Sequence, residues 1–190
     1  FPVLLIHGLA GDHTAWMPQL AAWKDKYRVI AFDNPGSGDS SLVSDPVGTA
    51  DLADATLGLM DKLGIERAHW VGHSTGGAMG QIVAQDHPDR LASLVLSATW
   101  AGQDSYFNRA FAARKGVLSA AGTLAYARNS ILTLLPPWYI TQNADRIDAL
   151  EGYLAGADQP VEIMESRIDA ICAYDRRDRM GDIKVPALVI

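Results

Sequence analysis

The residues whose types and spacing could do chemistry are those of Val71-Gly72-His73-Ser74-Thr75-Gly76-Gly77. They read G-x-S-x-G, directly after the apolar run Ala68-His69-Trp70-Val71 and directly before the amphipathic run Ala78 to Gln85. That context predicts strand, sharp turn, helix, the setting in which such a serine is a nucleophile. The turn forces Ser74 into a strained backbone conformation, at roughly 1–3 kcal/mol. Gly72 and Gly76 omit the Cβ atoms that would collide where strand and helix fold back on each other. Ser74 Oγ is then held clear of the sheet, and the Thr75 N–H, at the start of the helix, points where an oxyanion would form. The bland alternative is a glycine-rich turn carrying a surface serine.

The elements that must position this turn follow in order. Pro2-Val3-Leu4-Leu5-Ile6 reads as a strand buried on both faces of a parallel sheet. It runs into His7-Gly8-Leu9-Ala10-Gly11-Asp12, and Thr14 to Trp23 then carries Trp16, Leu20 and Trp23 at helical spacing. Arg28 to Phe32 is a second strand, ending in the turn-rich Asp33-Asn34-Pro35-Gly36-Ser37-Gly38-Asp39-Ser40. Asp51 to Leu63 is a helix stopped by Gly64. The third strand leads to Ser74, Leu91 to Ala98 is a fourth, and Ala187 to Ile190 begins a fifth. Strands alternating with helices predict an α/β fold with a mostly parallel sheet flanked by helices.

The rhythm breaks between Gly102 and Gly181, where only helical patterns occur: Tyr106 to Leu118, Leu124 to Leu134, Arg146 to Leu154 and Glu162 to Asp175. Pro136-Pro137 and Gly156 to Pro160 punctuate them. Such an insertion between two strands of one sheet reads as a lid over the strands' C-terminal ends. The division expected is residues 1–101 as a core, 102–181 as helical lid and return helix, and 182–190 as the start of the next core strand. The chain opens in a strand-like run at Phe1 and closes within another at Leu188-Val189-Ile190, which reads as a cut-out of a longer protein.

Three ordered motifs carry a resemblance: His7-Gly8-x-x-Gly11, then Asp33-x-x-Gly36-x-Gly38-x-Ser40, then Gly72-His73-Ser74-Thr75-Gly76-Gly77. Together they resemble the α/β-hydrolase superfamily. Asp12 to Trp16, Trp100, Arg109-Ala110-Phe111 and Leu135-Pro136-Pro137-Trp138 look like its small lidded members around 3-oxoadipate enol-lactonase and aminoacrylate hydrolase. The resemblance implies an α/β-hydrolase fold with a helical lid insertion. It makes Ser74 the nucleophile and the N–H groups of Leu9 and Thr75 the oxyanion hole, which a mobile loop from Leu9 to His13 completes. It implies cleavage of a small ester, lactone, amide or carbamate-type bond through an acyl-enzyme. The superfamily's chain order is serine, acid, histidine, so both partners are expected beyond Ile190, with Asp104 as the minority alternative for the acid. A receptor-like member or a cofactor-free oxygenase or haloperoxidase-like member would keep the same motifs.

None of the five histidines reads as the general base. His7 and His73 belong to backbone motifs, His13 is in a loop, His69 is inside a strand, and His87 is at a helix end. The glycine-rich flanks explain His7, His73 and Asp33 without a metal, and no metal or cofactor is expected. Trp100 and Trp138 are expected to line a substrate pocket above Ser74, although lid core would explain each equally well. Arg109 and Arg114 could hold a substrate carboxylate bidentately or form a solvated helix face.

Bulk properties narrow the partners. In 190 residues the chain has 16 basic and 22 acidic side chains, giving a formal net charge of −6. With the two signs interspersed, no basic stripe exists to neutralise phosphates, so a small-molecule substrate is expected and nucleic acid is not. No apolar run approaches a membrane span. The single cysteine, Cys172, fits core packing and a reducing, cytoplasmic setting. Oligomeric state leaves no mark on the sequence.

Overall fold

Five short apolar runs form one parallel sheet, in the spatial order Val29–Ala31, Val3–Ile6, Ala68–His73, Leu91–Ser97 and Ala187–Val189. In this computed structural model, which describes residues 1–41, 47–156 and 160–190, the strands are β1 (Val3–Ile6), β2 (Val29–Ala31), β3 (Ala68–His73), β4 (Leu91–Ser97) and β5 (Ala187–Val189). β1 is buried throughout, as a continuous apolar run between helical layers must be. β3 is central: Ile6 of β1 pairs with Gly72 on one side, and Ser97 of β4 pairs with His73 on the other. β5 lies parallel beside β4, Leu94 opposite Ala187, so the chain does return to the sheet after its long helical excursion.

Around the sheet run α1 (Met17–Trp23), α2 (Thr49–Lys62) and α3 (Thr75–Asp86). The helix expected over Thr14 to Trp23 begins as a 3-10 turn, His13–Trp16, capped by the Asp12 carboxylate, with Pro18 in the first turn of α1. α2 stops as expected at Gly64, whose φ of +64° no other residue type adopts as cheaply. α3 is buried on almost every residue against β3 and β4, so its glycines and alanines serve close packing. The main core joins Leu4, Ile6, Leu57, Met60, Trp70, Met79, Val83 and Leu94.

Between β4 and β5 lie α4 (Ser105–Leu134), α5 (Pro137–Gln142), α6 (Ala144–Gly156) and α7 (Val161–Ala173). The two helical patterns read over 106–134 are two helices abutting at Gly122, where φ is +77° and the helical conformation is interrupted. The break read over 156–160 falls mainly on 157–159, outside the described residues. α4 packs on α6 and α7. The apolar cluster shared by α4 and α7, Leu118, Tyr126, Met164 and Ile168, also takes in Leu9 and Ala10 from the loop after β1, together with Phe111 and Cys172. Cys172 therefore packs, as expected, and burial pushes its thiol pKa up.

Candidate active site

Ser74 sits where the central strand ends and α3 begins, as N-cap residue, with φ +53° and ψ −118°. A non-glycine residue at positive φ is held there only when its surroundings over-determine it, and the surroundings are visible. Its N–H donates to the Ser97 carbonyl at 2.9 Å. Its carbonyl accepts from Thr99 Oγ1 at 2.7 Å and from the Gly77 N–H at 2.9 Å. A Cβ on Gly72 would overlap the Gly76 carbonyl, and one on Gly76 would overlap the Ile6 carbonyl. The two glycines therefore let α3 fold back onto β3 and β1. The buried Trp70 indole completes the brace by donating to the Gly76 carbonyl at 2.9 Å.

The loop after β1 closes on this turn. A Cβ on Gly8 would lie 2.8 Å from Ser74 Cβ and 3.2 Å from its Oγ. The N–H groups of Leu9 and Thr75 have no hydrogen-bond partner among the described residues. Ala10, like Ser74, has positive φ, +58°.

Two clamps hold that loop. His7 donates through Nδ1 to the Gly8 carbonyl at 2.8 Å and accepts the Asn34 N–H at Nε2, 3.1 Å away. Those two roles fix a neutral imidazole, and burial lowers its pKa. His13 reaches Asp33 through its N–H at 2.6 Å and through Nδ1 at 2.9 Å. The hydrogen bond to Asp33 raises the His13 pKa above its usual 6.5. Burial alone would raise the Asp33 pKa, but the N–H groups of Asp39 and His13, with the His13 ring, hold it below its ordinary value. Asp12, His13 and Asp33 have ligand atoms within 4.8 Å of one another. Those atoms are engaged: Asp33 as above, and Asp12 with the N–H and hydroxyl of Thr14.

The remaining histidines are accounted for among the described residues. His69 bonds Ser93 Oγ and His73 bonds Ser97 Oγ. His87 ends α3, at the other end of that helix from Ser74. No imidazole bonds Ser74 Oγ. Asp104, the alternative acid, caps α4 by accepting the Phe107 N–H at 2.8 Å.

Above Ser74 opens a cavity of about 840 Å³. Leu9 and Ser74 line its floor, with Trp100, Phe107, Phe111, Arg114 and Leu135 around it. Trp100 stacks on Phe107 with ring centroids 5.3 Å apart, and Gln81 Nε2 holds its carbonyl at 2.9 Å. Gln81 is itself bonded by the Tyr174 hydroxyl. Trp138 is not part of the wall. It is 61% exposed and packs edge-on against Tyr139. The prolines before it open α5, and Leu134 and Leu135 line the cavity instead. Arg109 remains on the outside of α4, bonded to the Ser105 carbonyl.

Residues 2–135 match the alpha/beta hydrolase fold family. The chain is an α/β hydrolase. Its hydrolase relatives include a Caulobacter sp. (strain K31) protein named "Putative carbamate hydrolase RutD", 36% identical over 188 residues, covering 98% of this chain and 70% of that one. Among solved structures, the enol-lactonase from Burkholderia xenovorans LB400 superposes with TM-score 0.88 at 31% identity, covering 99% of this hydrolase and 71% of its own chain. A thermophilic esterase from Thermogutta terrifontis, with malate bound, gives 0.86 at 28% identity, covering 100% and 70%.

Sequence reasoning passed over Thr99, Gly8 and Trp70 as supports of Ser74. Thr99 lies beyond any motif. Gly8 and Trp70 act through contacts between segments far apart in the chain.

Proposed function

We propose that this hydrolase cleaves a small ester, lactone, amide or carbamate-type substrate through an acyl-enzyme on Ser74. The observation that carries the reading is the positive-φ Ser74 at the C-terminal end of the central strand, opening onto the cavity. Ligands of open α/β sheets bind outside that end. Ser74 Oγ attacks the carbonyl carbon as its proton passes to a general base, and the charge that develops on the carbonyl oxygen meets the unpaired N–H groups of Leu9 and Thr75. Removal of one such donor typically costs about 10²–10³ in rate. The bond to the alcohol or amine breaks as that group takes the proton, and water then hydrolyses the acyl-enzyme to release the acid and restore Ser74. The names of the relatives, carbamate hydrolase, enol-lactonase and esterase, share this carbonyl chemistry.

An unactivated serine is a weak nucleophile. The reading therefore requires an acid-supported imidazole brought to Ser74 Oγ from outside the described residues, since every described histidine serves elsewhere. The helical segment from α4 to α7 acts as the lid that encloses a small-molecule substrate. No cofactor takes part, and neither nucleic acid nor a membrane is a partner. No helix of the described residues is long and apolar enough to cross a membrane, and a cytoplasmic setting fits the single unpaired cysteine.

The test is labelling of the intact protein with a fluorophosphonate probe, followed by peptide mapping. The adduct is expected on Ser74 and absent from Ser74→Ala. An adduct on another residue, or none under conditions that label a known serine hydrolase, overturns the assignment.

A further inference from the structure

Four buried polar side-chain atoms, from four segments far apart in the chain, line one small recess beside the Ser74 turn. They are Asn34 Oδ1, Thr49 Oγ1, Thr75 Oγ1 and Arg167 Nε, and none has a hydrogen-bond partner among the described residues. Each of the four residues is more than nine-tenths buried. Gly8 and Leu9, from the loop after β1, complete the wall on the side of Ser74. Buried polar groups are normally hydrogen-bonded, so four orphans around one recess point to a ligand.

Size and chemistry say which ligand. The recess measures about 20 Å³, room for one water molecule, and a buried water needs two to four polar partners. Arg167 Nε–H only donates, Asn34 Oδ1 only accepts, and the two threonine hydroxyls do either. A water satisfies all four at once. It donates to Asn34 Oδ1 and one hydroxyl, and accepts from Arg167 Nε and the other. A halide would face the Asn34 oxygen as a like partial charge, and an apolar group would leave all four atoms unbonded. The guanidinium is already fixed for the task, because Nη1 donates to Ser37 Oγ at 2.8 Å and Nη2 to the Pro35 carbonyl.

We propose that this recess is a binding site for one water molecule, through which Arg167 on α7 and Thr49 on α2 hold Thr75 in place. Thr75 follows Ser74 and opens α3. Its N–H is an oxyanion donor in the acyl-enzyme reading, and the consequence for rate rests on that reading, whereas the water site does not. Arg167 and Thr49 are then positioning residues. A fully bonded buried network rigidifies its members, so the docking of α7 bears on the oxyanion donor without any contact to substrate.

A crystal structure of the intact, unaltered protein tests the site, with a second crystal soaked in sodium bromide. One solvent peak within hydrogen-bond distance of Arg167 Nε and Thr75 Oγ1, without anomalous bromine signal, is expected. Bromine signal there, or no density there, overturns the site. Kinetics test the linkage. Thr75→Val and Thr49→Val should each lower kcat on a small ester by about three- to tenfold at unchanged KM, and Thr75→Ser should restore it. The double valine variant should be no slower than Thr75→Val alone, because both changes break one network. Additive losses, or losses confined to KM, overturn the linkage. The density comparison needs no variant, so a misfolded valine variant leaves it decisive. Solvent density in a protein without Ser74-dependent hydrolysis sustains the site and overturns the acyl-enzyme reading. Ser74-dependent hydrolysis without that density does the reverse.

Discussion

Thr99 Oγ1 donates a 2.7 Å hydrogen bond to the carbonyl of Ser74. The two residues belong to the ends of neighbouring strands, and Gly77 lies so close to Thr99 that a Cβ there would meet Thr99 Cβ at 2.7 Å. The strained turn is thus held from its side by β4 as well as by its own glycines.

Thr99→Val keeps the shape and deletes this bond. The Gly77 and Ala78 N–H groups still reach the carbonyl, so the loss in stability should be about 0.5–1.5 kcal/mol by chemical denaturation. If the bond positions Ser74 for reaction, kcat on a small ester falls while KM holds, and Thr99→Ser restores it. A change confined to KM would mean that Thr99 shapes the cavity only.

Gly8→Ala places a methyl group 2.8 Å from Ser74 Cβ. Overpacking of this kind costs about 1–3 kcal/mol. The displaced loop carries the Leu9 N–H, so fluorophosphonate labelling should slow by about 10²-fold, the scale of one lost oxyanion donor. Thermal unfolding read beside labelling separates the two effects. Unchanged labelling would show that the loop yields without moving Leu9.

The His13–Asp33 clamp makes the loop respond to pH. The folded pKa of His13 is raised, chiefly by the hydrogen bond to Asp33. The stability it contributes is fully present below the unfolded value of 6.5 and is lost as pH rises through the folded pKa. Asp33 is lowered, so its contribution is present above 3.8 and is lost as pH falls through its folded pKa. The clamp is therefore strongest between Asp33 ionisation and His13 deprotonation. A proton NMR titration of His13 should give a value above 6.5, falling back in Asp33→Asn.

Arg167, on α7, donates to Ser37 Oγ at 2.8 Å and to the Pro35 carbonyl, and is 7% exposed. Burial lowers its pKa. Arg167→Met leaves both acceptors unpaired, at about 1–3 kcal/mol each if water cannot reach them. Urea unfolding should show that loss. A variant as stable as the unaltered protein would mean that water fills the gap.

Trp138→Ala should change stability by no more than about 0.5 kcal/mol, as expected for an exposed position, and leave ester selectivity unchanged. Trp100→Ala, at the wall of the cavity, should alter selectivity between short and long acyl groups, measured as a ratio of kcat/KM values.

The strands and the turn at Ser74 were legible because local chemistry specifies them. Val3–Ile6 is apolar throughout, Gly64 must end its helix, and Gly72 and Gly76 fit only a turn that folds back tightly. The parallel pairing of β4 with β5 followed from the handed, unthreaded connections that such sheets use. The cavity wall was less legible. Trp100 and Trp138 are the same residue type, but Trp100 leaves the sheet in the segment after β4 and lines the cavity while Trp138 sits on α5 and is exposed, a difference set by where each element docks rather than by its own residues. Arg114 and Arg109 likewise share one helix, one buried and one exposed; which face of α4 turns inward depends on its packing against α6 and α7. That packing is not written in α4 alone.

Leu9 and Ala10 belong to the same apolar cluster as Leu118, Met164 and Ile168. A change in the helical segment that reshapes the cavity for a new substrate thus presses on the backbone beside Ser74 in the same stroke. If Ser74 is the nucleophile as proposed, breadth of substrate and speed of turnover are expected to change together. A library that varies the buried face of α4 or α7 will find the two properties moving together, whereas one confined to the rim at Tyr106 and Leu134 can separate them.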